Sequence, residues 1–208
     1  MERERRFIDV KELRAVGEND EMVIEGRAIV YGQETDLGWF REVIDKGAAT
    51  EALKKSNEFL LRNHNPDFPA ARRANKTLEV WEDDEGVMIR ADVSKSEAGP
   101  GLYKDVKSGL IDKMSFAFTV EDEKWEKKAE EKTELRRITA FRELFDYSGV
   151  TYPGYQQTQV QARSAEEVFK SREPSTEAEQ SGTPDETRSS EALEPYYKEL
   201  EILEEYHD

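Results

Sequence analysis

Cysteine is absent from the 208 residues, which excludes disulfides and thiolate metal sites alike. Histidine is nearly absent, with only His64 and His207. A mechanism that needs a base near neutral pH must begin from one of these two. Positive charge is scarce: 31 Lys and Arg face 47 Asp and Glu, for a net charge of −16, which argues against general nucleic-acid binding. No run approaches the roughly 20 apolar residues that span a bilayer. The opening residues, Met1 to Arg6, lack the apolar segment of a secretory signal. A cytoplasmic protein without a membrane partner is expected, with Arg3 to Arg6 as a solvated terminus. The phosphate-cradling glycine motifs are missing too; Gly99-Pro100-Gly101 reads as a turn leading into a helix.

Hydrophobic residues make up 36% and charged residues 38%, so part of the chain is expected to stay out of any core. Composition shifts near residue 163. From Gln161 to Asp208 there are 14 acidic and 5 basic residues among many Ser, Thr, Pro and Gly. Such a segment buries too little apolar surface to offset its ordering entropy. The expected organisation is an N-terminal extension or edge strand over 1–20, a folded domain over 21–163, and a largely disordered acidic tail over 164–208. A terminal helix carrying Tyr196, Leu200 and Leu203 on one face would end the tail.

Within the folded part the signals are mostly β. Met22 to Tyr31 reads as a strand, Leu37 to Ile44 as an extended segment, and Gly47 to Asn57 as a helix. Leu78 to Glu82 and Val87 to Val93 flank the turn Asp83-Asp84-Glu85-Gly86, a hairpin signal. That acidic turn lacks the ligand spacing of a calcium loop. Leu102 to Ser108 looks helical and stops at Gly109. Two long strands follow, Lys113 to Trp125 and Leu135 to Val150, joined by the mixed charge run Glu126 to Thr133. The expected class is α+β: mainly an antiparallel β-barrel surrounded by a few helices.

Three places could carry chemistry. Ser115 lies in Lys113-Met114-Ser115-Phe116-Ala117-Phe118-Thr119-Val120, where alternation puts Phe116, Phe118 and Val120 on one face. Ser115, Ala117 and Thr119 share the other, a face of small groups with room for a substrate. A serine in a strand is more often structural, so the pattern alone does not decide. His64 follows the short apolar strand Phe59 to Arg62 and precedes Pro66, a position that can hold a side chain firmly at a cleft; the plainer reading is a loop histidine. His207 lies in the acidic tail. A serine–histidine pair wants a third group to orient the imidazole, and Glu143 and Asp146 are the candidates. Three positions apart, they face opposite sides of a regular strand, so only one could reach the cleft. Arg136 and Arg137, which open the last strand, are read as solvated.

Several segments, in order, resemble the prohead maturation serine proteases of tailed phages. They are Ile24 to Gly32; Gly38 to Ala48 (GWFREVIDKGA); Leu60 to Asn65 (LLRNHN); Gly109 to Phe118 (GLIDKMSFAF); and Leu144 to Tyr155 (LFDYSGVTYPGY). The resemblance covers roughly residues 22 to 163. Asp146 stands where the family more often has Glu, and Ala48-Ala49 replaces Ala-Phe.

The resemblance implies an assemblin-like fold, as in the herpesvirus maturation protease. It implies peptide-bond hydrolysis through an acyl-enzyme, with Ser115 as nucleophile, His64 as base, and Asp146 as third member with Glu143 in reserve. The herpesvirus enzymes use a second histidine there, which this domain lacks, so a carboxylate serves or the pair acts as a dyad. The expected substrates are the major capsid protein with its scaffolding region and the chain itself, inside the assembling prohead in the host cytoplasm. No cofactor is expected, and a homodimer is allowed. The rival from another class is a non-enzymatic acidic capsid scaffold or assembly chaperone, which would have no use for Met-Ser-Phe-Ala-Phe beside a distant Asn-His-Asn. A carbohydrate- or lipid-binding barrel is a third reading.

Overall fold

The computed structural model describes residues 3–8, 13–16, 21–127, 132–151 and 165–171. In chain order the strands are β1 (Glu4–Ile8), β2 (Arg14–Ala15), β3 (Val23–Val30), β4 (Thr35–Asp36), β5 (Arg41–Ile44), β6 (Phe59–Arg62), β7 (Asn65–Arg72), β8 (Leu78–Glu82), β9 (Gly86–Asp92), β10 (Lys113–Glu126) and β11 (Leu135–Val150). The helices are α1 (Thr50–Leu53), α2 (Gly99–Ser108) and α3 over 165–171. None of these helices is long and apolar enough to cross a membrane.

The strands form two sheets. One has seven strands along β1-β10-β11-β5-β4, with β6 on β11 and β7 on β6; the other runs β2-β3-β9-β8. The sheets meet through side chains: Ile24, Ile29 and Ile89 from one join Phe116, Phe118, Phe141, Leu144 and Tyr147 from the other in a single core. Phe118 and Phe141 meet edge to face at 4.9 Å. The closed barrel expected from the sequence is therefore not seen among the described residues; two sheets packed face to face bury the same apolar faces. Nor is the pairing wholly antiparallel. β11 is long enough to take β5 and β6 end to end along one edge, both in parallel, while β10 runs antiparallel along the other.

Between β5 and β6 the chain turns through α1, which covers the middle of β11; the Phe141 N–H donates to Ala48 O. The helix is much shorter than the expected 47–57. Ser56 and Asn57 use their side chains to accept from the Leu144 and Ala74 N–H groups, diverting the chain from helical geometry. The extended segment at 37–44 likewise shrinks to β5 after a tight turn in which the Leu37 N–H donates to Phe40 O. Gly86 begins β9 where an added Cβ would stand 1.8 Å from Ile29 O, so only glycine admits that close approach.

Three charged residues in segments expected in solvent, Glu4, Arg6 and Arg136, are buried instead. β1 pairs with β10, placing Glu4 and Arg6 inside, where they meet Glu42 of β5 and Arg136 of β11. The charges balance one another, which is what permits their burial. α3 also departs from expectation, because it lies within the stretch assigned to the tail. Its Ala165 is fully buried, and Val168 and Phe169 pack with Trp39, Phe40 and Trp125. Three apolar residues at helical spacing suffice to dock it despite the polar composition around them. The rest of the expected tail, the terminal helix with His207, and residues 128–131 of the 126–133 link lie outside the described residues.

Candidate active site

β10 and β11 run side by side with Ser115 opposite Ser148 and Ala117 opposite Asp146. On the far edge of β11, β6 lies parallel, with Phe59 beside Asp146 and Leu61 beside Ser148. This brings the β6–β7 turn to the end of β11. The turn has two residues, Asn63 and His64, between the paired Arg62 and Asn65. Both are left-handed, at φ 52° and 56°. That combination fits the tight hairpin loop whose twist matches its strands, and Asn and His are among the non-glycine residues that tolerate it best.

β11 holds the turn by main-chain and side-chain bonds. The Asn63 N–H donates to Gly149 O at 3.0 Å, and the Thr151 N–H donates to Asn63 Oδ1 at 3.0 Å. The His64 N–H donates to Ser148 Oγ at 3.0 Å. His64 thus occupies a strained backbone position that the surrounding bonds enforce, a form of strain that clusters at working sites.

The imidazole lies between Asp146 and Ser115. Nδ1 is 2.5 Å from Asp146 Oδ1, and Nε2 is 2.5 Å from Ser115 Oγ. All three residues are buried, at 6%, 4% and 0% exposure for His64, Asp146 and Ser115. With the carboxylate accepting at Nδ1–H, the Nε2 lone pair is left to accept from the Ser115 hydroxyl. Tyr147 turns the other way into the core, its hydroxyl 3.5 Å from Glu58 Oε1. Burial, with the Glu58 charge adding to it, pushes its phenol well above the ordinary value, so it stays neutral.

Ser115, His64 and Asp146 are thus brought together; Glu143 is not. Glu143 is exposed, opposite Thr119. Strand alternation is interrupted between the two acids, and a single acid meets His64. Ala117 pairs with Asp146 and Phe118 with Leu144, so Phe145 is an extra residue that resets the alternation. Arg136 lies among Glu4, Glu42 and Glu123, in the buried charge cluster. Sequence reasoning gave no role to Asn63 or Ser148. An asparagine at the head of a two-residue turn would have pointed to the first. The two-residue step from Asp146, along one strand face, would have pointed to the second. Among the described residues no group of three or more His, Asp or Glu could hold a metal ion.

No curated protein matches the chain. Among solved structures, the bacteriophage T4 capsid assembly protease gp21 is similar, with a TM-score of 0.45 and 15% identity over 74% of this chain and 100% of that one. The model of the family described as caudovirus prohead serine protease matches residues 8–171, a span that takes in His64, Ser115, Asp146 and α3. The chain belongs to the caudovirus prohead serine proteases.

Proposed function

We propose that the chain is an endopeptidase that cleaves capsid and scaffolding proteins, and its own chain, during prohead maturation, with Ser115 as nucleophile, His64 as general base and Asp146 as the group that orients His64. The observation that carries this reading is the imidazole held at 2.5 Å from both partners, inside the protein. As Ser115 Oγ attacks the scissile carbonyl, its proton passes to His64 Nε2, and the imidazolium formed is stabilised by the Asp146 carboxylate. His64 then gives that proton to the departing amine. A water activated by the same Nε2 hydrolyses the acyl-enzyme and regenerates Ser115. Burial strengthens each of these electrostatic interactions. An assemblin-like fold is part of this proposal.

A non-enzymatic scaffold gains nothing from burying an Asp–His–Ser chain, whose polar groups are costly to desolvate. The acidic, Ser- and Pro-rich composition beyond residue 171 supports self-cleavage, since such segments are readily cut. The test is processing of the capsid protein of the same phage, co-expressed with the full chain. Ser115→Ala and His64→Ala are each expected to abolish it while circular dichroism shows the β-rich fold intact. The double variant should be little worse than either single one, because the two act as a unit. Near-normal processing by Ser115→Ala overturns the mechanism.

A further inference from the structure

We infer that Ser148 is a positioning residue that fixes Asp146 and the His64 turn with one hydroxyl; this rests on the proposed roles of Ser115, His64 and Asp146. Ser148 is fully buried opposite Ser115, yet its hydroxyl points at neither Ser115 nor solvent. Instead it makes two bonds. It accepts from the His64 backbone N–H at 3.0 Å, and it donates to Asp146 Oδ1 at 3.0 Å.

The direction of the second bond is forced. A backbone N–H can only donate, so the Ser148 oxygen accepts there and its single proton is left for Asp146. Asp146 Oδ1 must then accept, and it accepts from His64 Nδ1–H as well. The result is a closed ring: the His64 main chain donates to Ser148, Ser148 donates to Asp146, and the His64 side chain donates to the same oxygen. The ring therefore holds Asp146 Oδ1 against the Nδ1–H edge of His64 and leaves Nε2 facing Ser115 Oγ.

The ring also explains how a histidine is kept in a left-handed turn. Its N–H, pointing inward at φ 56°, would be an unsatisfied buried donor without the hydroxyl. Asn63 has its own clamp to Gly149 and Thr151, so Ser148 serves His64 and Asp146 specifically.

The experiment uses the full-length chain and a fluorophosphonate that acylates activated serines, with the labelling rate constant measured across pH. Ser148→Ala should lower it roughly tenfold to a hundredfold, the scale of one charge-assisted hydrogen bond. It should also move the acidic limb of the profile to higher pH. Without the Ser148 donor, the Asp146–His64 pair holds an added proton more tightly, so the reactive form is lost earlier on acidification. Ser148→Thr keeps the hydroxyl and should recover the wild-type limb. A purely structural role would lower the amount of active protein without moving the limb. Wild-type rate and limb in Ser148→Ala, with Ser115→Ala unlabelled, overturn the positioning role alone. Labelling that survives in Ser115→Ala overturns the nucleophile assignment instead. If Ser148→Ala misfolds by circular dichroism, Ser148→Thr decides: a properly folded threonine variant with a displaced limb refutes the role of the hydroxyl.

Discussion

Replacing Arg136 with methionine should destabilise the protein in a way that depends on pH. Arg136 is 2% exposed and donates to Glu4, Glu42 and Glu123. Arg6, equally deep, pairs with Glu4 and Glu42. Removing Arg136 leaves two buried carboxylates facing one guanidinium. Breaking a buried ion pair from one side costs about 3–5 kcal/mol. That is a large share of the roughly 5–15 kcal/mol that holds a domain together. Burial pushes the Glu4 carboxyl up, but the Arg6 charge, together with the hydrogen bond and charge of Arg136, outweighs it and holds the group below its ordinary value. A lowered carboxyl contributes stability above the ordinary carboxylate range, and that stability is lost as pH falls through the folded-state value. In the variant the charge and hydrogen bond of Arg136 are gone while burial still acts, so the Glu4 carboxyl rises from its wild-type position and acidification should relieve part of the damage. Urea unfolding followed by tryptophan fluorescence at pH 7 and pH 5 tests this. The difference from wild type should shrink at pH 5. Apolar replacement of Glu4, Arg6, Glu42 and Arg136 together should cost far less than Arg136→Met alone. A loss below about 1 kcal/mol at pH 7, or an equal loss at both pH values, refutes the reasoning.

The two acids of β11 should separate in the same fluorophosphonate assay. Asp146→Asn is expected to slow labelling of Ser115 by roughly 10²- to 10⁴-fold through lost imidazolium stabilisation, and Glu143→Gln by less than about threefold; the reverse ranking moves the role to Glu143. Ending the chain at residue 171 should leave labelling and melting temperature near those of the full chain, whereas ending it at residue 163 removes α3 and uncovers Trp39, Phe40 and Trp125. Equal melting temperatures for the two truncations would show that α3 contributes nothing to the fold.

The parts legible in the sequence are those where local pattern and burial agree. β10 and β11 start where the apolar runs start, and Asp83 to Gly86 makes its hairpin. Ser115 and His64 were named because their segments resemble a known family, and the fold brings their side chains into contact. What was illegible depends on distant partners. Nothing local in Glu4 or Arg6 announces burial; their charges are tolerable only because Glu42 and Arg136 arrive from remote strands. The extra residue at Phe145 breaks the period-two rule that puts Glu143 and Asp146 on opposite faces; the preference for Asp146 comes from the resemblance. α3 docks through the buried Ala165 and the partly buried Val168 and Phe169, too few apolar residues in a polar stretch for composition to register.

The parallel pairing of β6 with β11 has a consequence for timing. His64 is 51 residues from Ser115 and 82 from Asp146 along the chain. Its turn is held by Ser148, Gly149 and Thr151, in and just after β11, the last strand among the described residues. Until the ribosome has released that strand, His64 has neither its carboxylate nor the bonds that hold it left-handed. Contacts of such sequence separation also form late in folding, because the loop must close before they repay its entropy. The His64 site therefore stays unassembled until β11 is available, a delay set by topology alone.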